Sequence, residues 1–277
     1  MREYILSESC TNTSLGRVWK KIGKGLGFVQ ERLHVPCQMP QAVMDDRSYE
    51  RVVPLDWRSH FTNKLSGCGL EIGPLHRPMP THAGMQMDYI DRLTVKEMRE
   101  HYAELRDFDL VEPTIIGDAE TLQPVENAKY DFLIAAHVIE HMRNPIQALQ
   151  HWHRVVKPGG LIYLVVPDKR MNFDAKRVRT TLEHLILDYQ APSLERDFEH
   201  YVDYANFVED LSREKAIAKA HDLVKIDYSI HYHVFLPQDL VSLVQWIDLN
   251  VCRLSVCEGP CAAEACDEFH ILLRVGS

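Results

Sequence analysis

From residue 66 onward short apolar segments alternate with stretches of helical spacing, and this alternation is what most constrains the fold. Such a rhythm argues for a parallel sheet whose crossovers are helices. GCGLEIG reads as the first strand, MQMDYID as the second, PTIIGD as the third, YDFLIAAHV as the fourth and LIYLVVP as the fifth. The fourth is nearly continuous in apolar residues, as expected of a strand buried on both faces. Between the second and third strands LTVKEMREHYAEL reads as a helix, opened by a capping box of Thr94 and Glu97. In NPIQALQHWHRVVKPGG, Asn144 caps a helix and Pro145 suits its first position. Ile146, Leu149, Trp152 and Val156 form its apolar stripe, and Pro158, Gly159 and Gly160 are expected to stop it.

Residues 168–230, rich in His, Asp, Tyr and Arg, break this rhythm and read as mostly helical. LPQDLVSLVQWI follows as a helix with Leu240, Leu243 and Ile247 on one face, and CRLSVCEG and DEFHILLRV close the chain as strands. The expected architecture is α/β: a Rossmann-like, doubly wound, mostly parallel seven-stranded sheet with a largely helical insertion after the fifth strand. The domain should occupy residues 61–277, with 168–230 as an insertion on the acceptor side. Residues 1–60 form an N-terminal extension, helical or irregular. There Val18, Ile22 and Phe28 have helical spacing while Gly16, Gly23, Gly25 and Gly27 oppose a helix. A packing arm or dimer contact fits this pattern, which is compatible with a homo-oligomer; a basic segment touching a membrane surface is the other reading.

The 277 residues carry a formal charge of -9, which repels phosphate backbones and argues against nucleic acid as a partner. No apolar run reaches the roughly 18 to 20 residues of a membrane span, and no signal-peptide core precedes the domain, so a cytoplasmic location is expected. The seven cysteines are expected to be thiols.

A cofactor site in such a fold lies at the carboxyl ends of the strands, near the point where strand order reverses. It needs a glycine after the first strand, for close approach of the backbone, and an acid at the end of the second, for ribose hydroxyls. Glu71 and Gly73 end the first strand, Asp91 the second and Asp118 the third. A nicotinamide dinucleotide wants G-x-G-x-x-G and a helix N-terminus facing its pyrophosphate. Here EIGPLHRPMP has one glycine, and Pro78 and Pro80 oppose an immediate helix. A cofactor with a cationic sulfonium and no pyrophosphate needs no such anion site, which favours S-adenosylmethionine.

EIGPLHRP, GDAETL, YDFLIAAHVIEH, VVKPGGLIYLVVPDKR and HYHVFLP together resemble the class I S-adenosylmethionine-dependent methyltransferases, over about residues 66–275. The nearest subgroup has EIGP, SHVIEH, KPGG and VPDKR-type motifs and is associated with glycan or polysaccharide biosynthesis. The resemblance implies that Glu71, Gly73 and Pro74 face the methionine and ribose portion, that Asp91 holds the ribose, and that Asp118 and Ala119 contact the adenine. Ala136 and His137 would line the methyl-transfer face. The single-glycine loop departs from the G-x-G of many relatives.

His137, Glu140 and His141 also match H-x-x-E-H, a zinc-protease pattern that requires both histidines on one helical face. The motif straddles a strand end, where Glu140 and His141 could instead cap and pack the following helix. His231 and His233, two apart, would share one face of a strand. Cys252, Cys257, Cys261 and Cys266 lack the tighter pairing of structural zinc, so no metal ligand is assigned. His184, Asp188, Glu199 and His200 have helical spacing in the insertion, either as a solvated face or as part of an acceptor lid. The expected chemistry is in-line methyl transfer to a hydroxyl of a sugar, glycan or small molecule. His137, His141, His231 and His233 are the candidate bases; Asp168, Arg170, His184 and His200 are candidates for holding the acceptor. Two alternatives stand beside it: methylation of a small-molecule amine or carboxylate, and a non-catalytic binding or scaffold protein of the same fold.

Overall fold

The computed structural model describes residues 56–263 and 266–277, so most of the expected N-terminal extension lies outside the described residues. Helix α1, Trp57–Thr62, is capped by Asp56, whose carboxylate accepts from the amides of Arg58 and Ser59. The strands are β1 Gly67–Ile72, β2 Met85–Asp91, β3 Ile115–Ile116, β4 Tyr130–Ala136, β5 Val156–Pro167, β6 Leu254–Cys261 and β7 Glu268–Val275. They form one seven-stranded sheet in the order β3-β2-β1-β4-β5-β7-β6. β1 to β5 run parallel, and β7 is antiparallel to both its neighbours. The chain starts at the middle with β1, works outward to β3, and returns to β4 on the other side of β1. That reversal opens a crevice at the carboxyl ends of β1 and β4.

Helix α2, Val95–His101, opens with both arms of the Thr94–Glu97 capping box in place. Helix α3, Pro145–Val155, is capped by Asn144, whose side chain accepts from Gln147 N. This helix ends three residues before the expected Pro158 stop, because Val156 already pairs with Tyr130 as the first residue of β5. Val155 rather than Val156 therefore closes the helical stripe. β3 is shorter than the expected six-residue strand, since only Ile115 and Ile116 find partners, on Ile90 and Asp91. The insertion supplies α4 Leu182–Gln190, α5 Leu194–Phe207 and α6 Arg213–Lys225, and α7 Pro237–Asn250 precedes the closing hairpin.

β4 is buried on both faces, as its composition requires. Leu133 and Ala135 join Leu149, Trp152, Leu243 and Ile247 beneath α3 and α7. Phe132 and Ile134 join Phe61, Leu65 and Tyr163 beneath α1. Each fully buried Leu or Phe contributes roughly 1.5–3 kcal/mol of transfer free energy. Position 69 must be glycine, because a Cβ there would lie 2.0 Å from the Phe132 ring. The insertion has a core of its own, built on Tyr201, Val202, Ala216, Ala220, Leu223 and Tyr232. His231 and His233 do not lie in a strand. Their segment returns past the end of β5, where Phe235 makes a single bridge to Asp168.

Candidate active site

β1 delivers Glu71 and then turns at Gly73, whose φ of +61° favours glycine. A Cβ at this position would meet nothing nearer than Val138 Cγ2 at 3.9 Å and Asp91 Oδ2 at 4.0 Å. The ends of β1, β2 and β4 thus leave a cradle that one methyl group would begin to fill. Asp91 closes β2; its Oδ1 accepts from Leu93 N at 3.2 Å while Oδ2 faces the cradle. Burial raises its pKa, against the pull of the Leu93 and Arg92 amides. Glu71 is only 1% exposed. Its Oε1 accepts from Met79 N at 2.9 Å, and Oε2 is buried with no hydrogen-bond partner among the described residues. Burial pushes this carboxyl up to about 7. Pro74 is buried behind the turn. At the exposed end of β3, Asp118 Oδ1 accepts from Thr121 N and Oγ1 at 2.8 and 2.9 Å, so this acid also caps a turn. The Ala119 carbonyl accepts from Trp152 Nε1 at 2.8 Å, which fixes that corner on α3.

β4 ends at Ala136, and His137 follows in the left-handed region at φ +56°. For a residue with a side chain this costs on the order of 1–2 kcal/mol, and its place at a strand end beside the cradle is where such strain gathers. Its Nε2 lies 2.8 Å from Glu268 Oε2 and its Nδ1 3.7 Å from Glu140 Oε1. Arg58 grips Glu268 in a bidentate pair at 2.9 and 2.7 Å. Burial opposes charge on His137, but Glu268 and Glu140 outweigh it and raise the imidazole pKa. Glu268 would itself be raised by burial, yet His137 and Arg58 hold it well below the ordinary carboxylate range.

Glu140 is fully buried, and neither carboxylate oxygen has a hydrogen-bond partner among the described residues. It stands between His137 and His231, whose Nε2 is 4.0 Å away. Burial raises its pKa despite both imidazoles. Asp174 holds His231 Nδ1 at 2.6 Å, and Arg177 Nη1 ties Asp174 to the His231 carbonyl at 2.9 and 2.8 Å. The His141 ring lies 4.7 Å from that of His231; its Nδ1 meets Ile230 O at 2.8 Å and Ser229 Oγ at 3.0 Å. Burial and the neighbouring His231 push it down to about 3. Three of the four candidate bases therefore converge on Glu140, and His233 does not. It joins His184, Asp188 and His200 in a second group, away from His231.

The H-x-x-E-H residues do not share a helical face: β4 ends before them, and Ile139–His141 is a single 3-10 turn. The candidate acceptor residues Asp168 and Arg170 pair with each other at 2.5 Å, the acid buried and the guanidinium exposed. Glu199 points outward to pair with Arg213. The cysteines of the closing strands are not among the donor groups that converge in the described residues.

No protein among curated ones matches the chain. A family model described as a methyltransferase domain matches residues 47–252. The chain belongs to the methyltransferase-domain family. Its sheet is the class I, Rossmann-like methyltransferase fold, and S-adenosylmethionine is the cofactor. Solved structures similar to this methyltransferase include the CurJ carbon methyltransferase, at 12% identity over 76% of this chain and 48% of that one, with a TM-score of 0.40. An O-methyltransferase family protein from Burkholderia thailandensis matches at 13% identity, 80% and 55% coverage, and a TM-score of 0.43. A SAM-dependent methyltransferase from Methanosarcina mazei matches at 16% identity, 81% and 99% coverage, and a TM-score of 0.39. The chain spans about half the length of the first two, 48% and 55%. Among the described residues of the methyltransferase, no helix is long and apolar enough to cross a membrane.

Sequence reasoning missed Glu268, Arg58, Asp174 and Arg177. Glu268 stands 131 residues from the histidine it holds, and neither it nor the other three belongs to a spaced motif. Glu140 was visible only as a metalloprotease glutamate or a helix-packing residue.

Proposed function

We propose that this methyltransferase transfers the methyl group of S-adenosylmethionine to a hydroxyl of a sugar, glycan or other small molecule in the cytoplasm, with His137 as general base. Residues 61–277 would form the catalytic domain and 168–230 its acceptor side. The observation that carries the reading is the Glu268–His137 pair at the end of β4, next to the Gly73 cradle.

The cradle suits the cofactor. Asp91 turns an oxygen into it and can accept from both ribose hydroxyls, while Gly73 lets the backbone approach closely. Glu71 adds a buried oxygen without a partner, which can meet a polar hydrogen of the methionine portion. Asp118 keeps one carboxylate oxygen outside its turn, with Ala119 next to it, at the adenine end. When bound, S-adenosylmethionine supplies an electrophilic methyl group on a cationic sulfur.

The protein's part is to align the acceptor and take its proton. Glu268, fixed by Arg58, accepts from Nε2 of His137 and so leaves Nδ1 with its lone pair. A hydroxyl is weakly acidic and gains from such a base, whereas an amine or carboxylate needs little. His231, oriented by Asp174, and His141 would line the acceptor side across Glu140, with Asp168 and Arg170 at its rim.

Transfer of labelled methyl from S-adenosylmethionine to a panel of sugars and small hydroxyl compounds tests the reading. Wild-type turnover should rise with pH as His137 loses its proton, above the ordinary imidazole value of about 6.5. H137A should lose turnover by about 100-fold or more and with it that pH limb, while binding S-adenosylhomocysteine as before. Unchanged turnover in H137A, or label appearing only on amines or carboxylates, overturns it.

A further inference from the structure

The insertion holds a second convergence of donor atoms. His184 and Asp188 stand one turn apart on α4, His200 lies on α5, and His233 comes from the segment leading into α7. Nε2 of His184 is 3.0 Å from Asp188 Oδ2 and 3.3 Å from Nε2 of His200. The same Asp188 oxygen is 3.9 Å from Nε2 of His200 and 4.0 Å from Nε2 of His233. Taken one per residue, the four donors fall within 4.8 Å of one another. A tetrahedral ion with bonds of about 2.0–2.2 Å sets its donor atoms about 3.3–3.6 Å apart, within the 3.0–3.9 Å span of the His184, Asp188 and His200 atoms.

Hydrogen bonding alone does not satisfy the group. Asp188 has a side chain only 7% exposed, and its Oδ2 faces three imidazoles at 3.0, 3.9 and 4.0 Å, none of them aligned as a hydrogen bond among the described residues. His233 is fully buried; its Nε2 donates to the Arg143 carbonyl at 3.2 Å, which leaves Nδ1, without a partner among the described residues, as the nitrogen whose lone pair is free for a cation. The remaining two histidines present Nε2 to Nε2, so at most one of them can donate along that line. Buried polar atoms left this way are rare and costly. A cation in their midst would satisfy all of them at once.

We propose that His184, Asp188, His200 and His233 bind a divalent zinc-like cation as a closed structural site. Three imidazoles and one carboxylate are a borderline donor set that suits zinc, and four protein ligands leave no position for a reacting group. The surroundings are those of a held ligand set. Arg196 Nε fixes the other Asp188 oxygen at 2.7 Å, and the Arg143 carbonyl orients His233. The ion would clamp α4 and α5 to the His233 segment. That segment's Tyr232 and His233 amides donate to the Glu140 carbonyl at 2.8 and 3.2 Å, so the clamp would hold the insertion against the strand ends.

The test uses the full chain and zinc itself. Protein dialysed against metal-free buffer should retain about one zinc per chain by elemental analysis. Chelation should lower its Tm and added zinc should restore it. The cobalt-substituted protein should show tetrahedral ligand-field bands without thiolate charge transfer. H184Q changes the ligand at the rim, with a side chain 37% exposed, and should keep its far-UV circular dichroism. Its zinc affinity should fall at least about tenfold, while E199Q on the neighbouring surface should retain the metal. A wild-type chain that neither holds zinc nor gains Tm from it overturns the proposal. So does zinc that persists undiminished in H184Q, or a cobalt spectrum dominated by sulfur.

Discussion

At the scale of single residues the chemistry is set by carboxylates that lack ordinary company. Glu71 and Glu140 are buried with oxygens that nothing hydrogen-bonds among the described residues, while Asp174 and Glu268 are spent on holding imidazoles. Burial wins over solvation in the first pair, and ion pairing wins over burial in the second. Gly73 makes the division testable. An alanine methyl there has 3.9 Å of clearance, so G73A should not clash within the fold. It must still hold a left-handed residue, at a cost of about 1–2 kcal/mol. The expected result is a modest drop in Tm together with at least about tenfold weaker S-adenosylhomocysteine binding by calorimetry, since the methyl occupies ligand space. A loss of stability with unchanged affinity would move the cofactor elsewhere.

At the scale of elements, local rules decide the strands and helices of the sheet, and long-range contacts decide how the histidines are grouped. Helix α3 shows the local side. Asn144 accepts from Gln147 N at 3.0 Å, and its amide also donates to the Asp188 carbonyl at 3.3 Å. N144A should cost about 1–2 kcal/mol in urea denaturation, the ordinary loss of a good N-cap. Those elements were readable in the sequence. The capping box at Thr94, the doubly buried β4 and the acids ending β1 and β2 all follow from spacing and composition. The end of α3 was not, because pairing of Val156 with Tyr130 overrides the expected Pro-Gly-Gly stop. Nor was the grouping of the histidines. His231 and His233 are two residues apart, but their segment is irregular, so their rings part to different acids, Asp174 and Asp188. A two-residue period carries them to one face only in a strand.

At the scale of the whole molecule, Glu71 at the end of β1 couples ionisation to stability. Burial pushes its carboxyl up to about 7 in the folded chain, from an ordinary value of 4.5. The folded state therefore keeps a proton that the unfolded chain has released. The associated stability is complete below pH 4.5 and is lost as pH rises through about 7, on the order of 3 kcal/mol in all. E71Q cannot ionise, so relative to the wild type without cofactor it should gain stability between pH 5 and pH 8 in denaturant titrations. Parallel curves for the two proteins would remove Glu71 as the source. The sheet order carries another consequence, in time rather than space. β7 lies between β5 and β6, and its first residue, Glu268, fixes His137. During synthesis the donor cradle can form as soon as β4 has emerged, whereas the partner of His137 arrives 131 residues after it. On the proposed reading, a nascent chain could hold its cofactor before His137 had its carboxylate partner, and chemistry would wait on the β6–β7 hairpin.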